Sequence, residues 1–423
     1  MNSLPIPSFP IRSRSPEVST LPTLLRAAWL AMGVMVGSAA WAHGDTAHAL
    51  PQEPGVRVGL EAAWAHLNTQ GNAALPSTRL GGYLIQGDSG MDRRGGNLEH
   101  ALVDVGWRLD STWGAYAALG KHGSDQPHLE SAWLQGNWAV SGSEWQVQAG
   151  RQSPHLGPVM TPAGHLDRFA LMPLAKQAAF NGDWIEDGVQ VGWRRSGELV
   201  DWNANAGLWQ GKVFPGAQNG DVVPAIHLGV ARGEWEVDVF VAHFEPKGRG
   251  AQTVSSNGGH SHSAPACNAQ LLNVVCFDGS SQVMGASARW SGTSLPLEVG
   301  AAYWVREEAG SIYSANGLAS YAGRNHGTWA DVIWTISPVL EAGLRLEQLS
   351  ASHDLRGPGA TLVASEAGFG SYDSVQRSSL MLGYRPMSWL NVRLEAGQET
   401  QGSARADFVL LRAVVSLSRT LER

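Results

Sequence analysis

The chain has 423 residues, 16% of them charged, a formal net charge of -7 and 51 glycines. That length suits two or three soluble domains or one large barrel, and the acidic balance without a basic stripe excludes a nucleic-acid binder. Lysine occurs only at Lys121, Lys176, Lys212 and Lys247, and no apolar run after residue 42 reaches the roughly 18 residues a membrane-spanning helix needs, so a membrane crossing has to use closed strands.

Residues 1–42 read as an export signal. Arg12, Arg14 and Arg26 supply its charge, Ala27 to Ala39 its apolar core, and Ala40-Trp41-Ala42 a small-x-small cleavage site ahead of His43. The mature chain, 43–423, then alternates apolar and polar residues with period two, the pattern of strands with one apolar face. The predicted strands are 56–67, 98–109, 112–120, 129–140, 144–151, 185–195, 200–210, 223–232, 235–244, 281–291, 296–306, 327–336, 339–350, 374–385, 389–399 and 406–418. Residues 79–86 are a seventeenth candidate, set aside because an extra strand would invert the parity of the short turns; 68–97 are read as a long first loop.

Tryptophans flank these turns. Trp107 and Trp113 bracket Asp110-Ser111-Thr112, Trp138 and Trp145 bracket Ser141-Gly142-Ser143, and Trp193 and Trp202 bracket Ser196-Gly197-Glu198. Indole joins an apolar body to an N–H donor and settles where hydrocarbon meets headgroup. The expected fold is all-β: a transmembrane antiparallel barrel of sixteen strands with an inward-folded loop, its short turns on the periplasmic side.

Three further segments are too long for simple turns. Residues 152–184 carry four prolines and a helical patch, Leu166 to Ala179, and form the expected constriction loop. There Phe169, Leu171 and Leu174 would bury against the wall while Asp167, Arg168 and Lys176 face the pore; an external flap is the alternative. Residues 245–280 form a Gly/Ser/His-rich external loop whose two cysteines, Cys267 and Cys276, suit a disulfide in an exported protein. Residues 351–373 are glycine-rich. On the alternating register the inward acids are Asp104, Glu186, Glu236, Asp238, Glu298, Glu341, Glu347 and Glu395, against the bases Arg108, Arg194, Arg306, Arg345 and Arg393. A lumen with a slight acidic excess favours cations or neutral solutes, unless the charges satisfy one another across the wall. His260 and His262 alternate in the external loop and His243 ends the strand before it, so weak zinc binding there stands beside the reading of a solvated loop. Otherwise no cofactor is expected.

Gly150-Arg151-Gln152, His165-Leu166-Asp167-Arg168-Phe169 and the run from Ala179 to Val189 together resemble the porin family that includes the phosphate-selective O and P porins. More closely, they resemble barrels of that superfamily encoded beside zinc-uptake transporters. The shared pattern is a strand ending in Gly-Arg, a Pro/His-rich loop, an aromatic with an acidic neighbour, and an Asp-Asp-Gly-Val strand start, here Glu186-Asp187-Gly188-Val189. The stretch from Gly81-Gly82-Tyr83 to Leu98-Glu99 resembles the same family's first loop. This resemblance implies an outer-membrane porin with a part in divalent metal uptake. The near-absence of lysine departs from the lining expected of phosphate-selective members.

The expected function is a Gram-negative outer-membrane channel for small hydrophilic solutes or ions. Lipid and solute are its partners, and a homotrimer is an assembly this barrel class allows. The alternative is a surface-exposed structural or adhesin-like barrel. No enzyme is expected, since no Gly-x-Ser-x-Gly nucleophile motif is present.

Overall fold

The structure, a computed structural model, describes residues 50–71, 75, 94–123, 126–161, 167–252, 267, 274–369 and 374–422. The export signal, the 79–86 candidate strand, His43, His260 and His262 lie outside the described residues.

The alternating segments form strands. The first half contains β1 (Gly55–Gly71), β2 (Gly95–Arg108), β3 (Trp113–Lys121), β4 (His128–Val140) and β5 (Ser143–Gln152). After a long loop come β6 (Glu186–Ser196), β7 (Asp201–Trp209), β8 (Val223–Arg232) and β9 (Trp235–Phe244). The second half contains β10 (Arg249–Gln252), β11 (Val274–Ser291), β12 (Leu297–Ser314), β13 (Gly317–Ser337) and β14 (Leu340–Arg356). The sheet ends with β15 (Ser374–Met387), β16 (Leu390–Gln401) and β17 (Ala404–Glu422). All pairings are antiparallel, and β1 pairs with both β2 and β17, which closes the sheet. The short β10 pairs with β11 alone, beyond the end of β9, so the wall itself has sixteen strands. Each predicted segment is one of them.

Alternation sorts the two faces. Val103 and Val105 on β2, Ile226 and Leu228 on β8, Val237 and Val239 on β9, Leu344 and Leu346 on β14, and Leu380 and Leu382 on β15 are exposed on the outside. Between them Asp104, His227, Asp238, Arg345 and Met381 are buried inside. An apolar outside with a largely polar inside inverts a soluble fold and suits a lipid surround.

The turns at one end are tight, for identifiable reasons. Asp110 Oδ1 accepts the N–H groups of Thr112 and Trp113, both at 2.7 Å, closing the turn from β2 to β3. Ser141 and Gly142 both take positive φ, 50° and 74°, as a hairpin turn twisted with its strands requires. Gly233, at φ 58°, turns β8 into β9. At this end Trp138, Trp145 and Trp193 stand in register on three adjacent strands, and Trp113 meets Trp138 edge-on at 5.6 Å. Trp107, Trp202, Trp235, Trp334 and Trp389 stand exposed beside the other short turns of the same end.

Three local expectations are corrected. Short turns are not confined to one end: β12 and β13 run past the predicted 306 and 327 and meet across Ser314↔Gly317, and Gly402-Ser403 joins β16 to β17. The extension is hard to see in sequence because its outer face, with Glu307, Ser311 and Arg324, is polar. The helical patch is shorter than predicted. Helix α1 spans Leu174–Phe180, starts after Pro173, whose φ is -54°, and stops where Asn181 turns left-handed at φ 54°. Proline within the predicted patch removes a backbone donor and resets the helix start. A second helix, α2 (Ala360–Glu366), lies in the 357–373 loop and buries Val363.

Candidate channel constriction

The long segment between β5 and β6 lies inside the barrel. Its described part begins at 153–161 and resumes at Asp167, and from Ala170 to Phe180 every residue except Met172 is buried. Two kinds of contact hold it. The first is apolar. Phe169 packs with Ile333 and Met381; Ala170 and Leu171 pack with Ala65, Leu67, Phe408 and Leu410; Leu174 and Ala178 pack with Phe214, Leu349 and Val375. At the end of the helix, Phe180 stacks on Trp184 at 5.4 Å and meets Trp304 edge-on at 5.0 Å, and Trp184 lies 5.0 Å from Phe244. At about 1.5–3 kcal/mol per large apolar side chain removed from water, this packing is the main source of docking stability.

The second is a set of guanidinium straps from the wall. Arg345 on β14 grips Asp167 with two bonds, 2.9 and 3.1 Å, and reaches Asp331 at 2.9 Å. Arg412 on β17 donates to the Ala170 carbonyl at 2.9 Å and to Glu99 at 2.8 Å, and Arg393 on β16 donates to the Asp167 carbonyl. Arg377 donates to the Met172 carbonyl at 2.9 Å and to Glu399 at 2.8 Å; Arg306 donates to the Ala178 carbonyl at 2.7 Å. Acids answer from the same wall, Glu395 accepting the Ala170 N–H and Glu347 the Leu174 N–H, each at 2.7 Å. Buried ion pairs add little net stability against apolar packing, but they fix geometry, and losing one partner is costly. The straps therefore set where the loop lies, and the apolar contacts keep it there. Burial opposes ionisation of Asp167, yet the adjoining Arg345 guanidinium outweighs it and holds the carboxyl below its ordinary 3.8.

The predicted lining residues lie on the inward side, in two groups. Asp104, Glu186, Asp238, Arg306, Arg345, Glu347, Arg393 and Glu395 are buried in pairs or under the loop. Among these, Asp104 is held by Arg57 at 2.8 Å and Tyr116 at 3.0 Å, Asp238 by His227 at 2.8 Å, and Glu186 by Trp184 and the Lys212 and Val213 N–H groups. Glu236, Glu298, Glu341 and Arg108 are half-buried, and Arg194 is exposed toward the short-turn end. Of these, Glu236 pairs with Arg289 at 2.7 Å and Glu298 with Arg168 of the loop at 3.1 Å, while Arg108 donates to the Pro51 carbonyl. Asp167 and Lys176 do not face open water as predicted. Both are buried, Lys176 against Asp183 at 3.0 Å, because a loop crossing a lumen has wall on several sides.

The wall of β4 to β7 also carries a row of inward neutral carboxamides. Asn137 accepts from Gln135 at 3.1 Å and Gln146 at 3.2 Å, and Gln190 donates to Gln148 at 2.8 Å and Gln152 at 3.0 Å. Asn205 continues the row at 3.3 Å from His227 Nδ1. Sequence reasoning passed over this row and over Arg57, Arg249, Arg377 and Arg412. Arg57, between Val56 and Val58, was visible to the alternation rule. Arg412 was not, because Phe408 and Leu410 below the loop are apolar on the inside and blur the period.

Cys267 and Cys276 are bridged, with Cα atoms 5.6 Å apart, and the Cys267 N–H donates to Gly248 O at 3.1 Å. The bridge ties Cys267 to the β10–β11 hairpin. His243 faces outward at the end of β9, its Nε2 3.6 Å from Glu245.

No protein-family model matches the chain, and no curated protein matches it in sequence. Solved structures do. An outer membrane protein of Vibrio cholerae, OmpT in trimer form, is 11% identical over 86% of this chain and 100% of its own, with a TM-score of 0.54. OmpF of Salmonella typhi, solved with daunomycin, is 9% identical over 88% and 100%, with a TM-score of 0.52. The outer membrane channel DcaP of Acinetobacter baumannii is 11% identical over 87% and 100%, with a TM-score of 0.50. At these identities the likeness fixes the fold, that of an outer-membrane barrel.

Proposed function

We propose that this protein is an outer-membrane porin passing small hydrophilic solutes. One observation carries the reading: a closed sixteen-stranded barrel, apolar outside, encloses a loop that buried arginines strap across its lumen. A barrel of this size leaves an aqueous channel, and an inserted loop narrows it without adding a lid. In this reading residues 1–42 direct export, the tryptophan-lined short-turn end faces the periplasm, and the long-loop end faces out. The assembly is a homotrimer, in keeping with the trimer form named for the Vibrio cholerae barrel.

Selectivity follows from what still meets water. The strapping arginines are spent on the loop and on buried carboxylates. The half-buried inward groups include the acids Glu236, Glu298, Asp331 and Glu341 beside the bases Arg108, Arg168 and Arg289, with the carboxamide row on the wall of β4 to β7. Such a lumen passes neutral polar solutes and prefers cations weakly. Passage of divalent metal is the finer form of this reading, supported by imidazoles at the long-loop end: His100, His122 and the outward His243. Planar-bilayer recordings of the purified protein test the channel. Stepwise, ohmic conductance is expected, whereas a barrel that inserts and conducts nothing would be a structural or adhesin-like protein instead.

A further inference from the structure

We propose that His100, His122 and Glu130 form a binding site for one divalent transition-metal ion, of the zinc and copper class, inside the long-loop end of the barrel. The residues are distinct from the His243, His260 and His262 set of the external loop. One ligand atom from each of the three lies within 4.8 Å of the other two. His100 Nε2 and His122 Nε2 stand 2.8 and 2.9 Å from the same oxygen, Glu130 Oε1. Their rings are 4.6 Å apart. Zinc binds imidazole nitrogen and carboxylate oxygen at about 2.0–2.2 Å, which separates neighbouring tetrahedral ligands by roughly 3.3–3.5 Å. A shift of about half an ångström per side chain therefore opens the cluster around an ion.

The backbone is shaped to bring these groups together. Register slips between Ala63 and Trp64 opposite β2, where Ala63 faces His100 and Trp64 faces Leu98, so Glu99 is an extra residue and both it and His100 turn inward. A second slip falls between Ala118 and Leu119, which face Ser131 and Leu129 of β4, so Glu130 is the extra residue there. Bulges re-aim side chains and recur beside functional sites. Gly120 completes the space: a Cβ at that position would lie 1.8 Å from Glu130 Oε1. Two bulges and one glycine converge on a single carboxylate.

The chemistry selects the ion class. Two imidazoles and one carboxylate suit zinc, copper, nickel and cobalt, whereas calcium and magnesium prefer all-oxygen shells. Three protein ligands leave a fourth position for water or a passing ligand. Access comes from the long-loop end, since His100 and Glu130 are buried while His122 is 22% exposed in its side chain and stacks at 5.6 Å on the half-buried His128. Metal would take the place of the two contacts that now join each Nε2 to Glu130 Oε1.

The test uses the full chain, purified in detergent and stripped with chelator, titrated calorimetrically with Zn²⁺ and spectroscopically with Co²⁺. Heat-dependent gel mobility verifies that each variant is a folded barrel. One equivalent of metal is expected, with tetrahedral Co²⁺ absorption. Affinity should drop at least tenfold in both His122→Asn and Glu130→Gln and stay unchanged in His243→Ala. His122 is partly exposed and lies just beyond the end of β3, so its variant keeps the fold if the buried Glu130 variant does not. Absence of binding to the wild type, or binding kept in His122→Asn and lost in His243→Ala, overturns the assignment. Binding is read without any conductance measurement, so its failure and the failure of the channel reading are separate results.

Discussion

Replacing Arg345 with Met keeps most of the side-chain volume and removes the central strap. Three guanidinium contacts of 3.1 Å or less disappear, two to Asp167 and one to Asp331, in a site where the Arg345 side chain is only 4% exposed. The buried Asp167 and half-buried Asp331 carboxylates then face each other with their shared counter-charge gone. One escape is protonation. Moving a carboxyl of pKa about 3.9 to its neutral form at pH 7 costs about 4 kcal/mol at 1.36 kcal/mol per unit. The other is undocking of the loop from 167 onward, so the loop is destabilised by about 3–5 kcal/mol, as for other broken buried pairs. The ratio of docked to open loop should fall by roughly a hundredfold or more. Single-channel recordings at pH 7 should show a larger mean conductance or frequent excursions to a larger level. The penalty is for charge, so it shrinks as the carboxylates protonate, and the variant should return toward wild-type traces near pH 4. In the wild type the sign is opposite. The Asp167 pKa is depressed, so its contribution is fully present above its ordinary 3.8 and is lost only as pH falls through the lower folded value. Arg168→Gln is the control, since its pair with Glu298 is more exposed and worth about 1 kcal/mol or less. A quiet Arg345→Met channel of wild-type conductance at pH 7 would refute the idea that this strap positions the constriction.

Reversal potentials in a salt gradient should show weak cation preference; anion preference would mean that the strapping arginines reach the water path after all. Under non-reducing conditions neither Cys267 nor Cys276 should react with an alkylating reagent, and the Cys267→Ser/Cys276→Ser variant should lose about 3 kcal/mol or less, confined to the loop they close. In vesicles carrying lipids brominated near the headgroup, Trp138→Phe/Trp145→Phe should reduce fluorescence quenching, whereas Trp184→Phe should not, because Trp184 is buried in the lumen; equal effects would contradict the placement of the rim.

The wall of this barrel was legible from local chemistry. Period-two alternation places Leu394 outside and Glu395 inside without knowledge of any neighbour, and Ser141-Gly142 specifies its own turn through positive φ. Both depend on residues adjacent in the chain, as does the tryptophan rim beside the turns. What alternation cannot supply is the partner of an inward charge. Glu395 binds the backbone of Ala170, 225 residues away, and Arg412 reaches Glu99 across 313 residues. Charges counted as pore lining, Asp167 among them, are consumed in such pairs, and only closure of the sheet decides which remain in water. The His100, His122 and Glu130 cluster has the same character. It joins two strands and a strand end, and it depends on two bulges that shift a register by one residue, a displacement that pairing between strands determines and a linear pattern does not record.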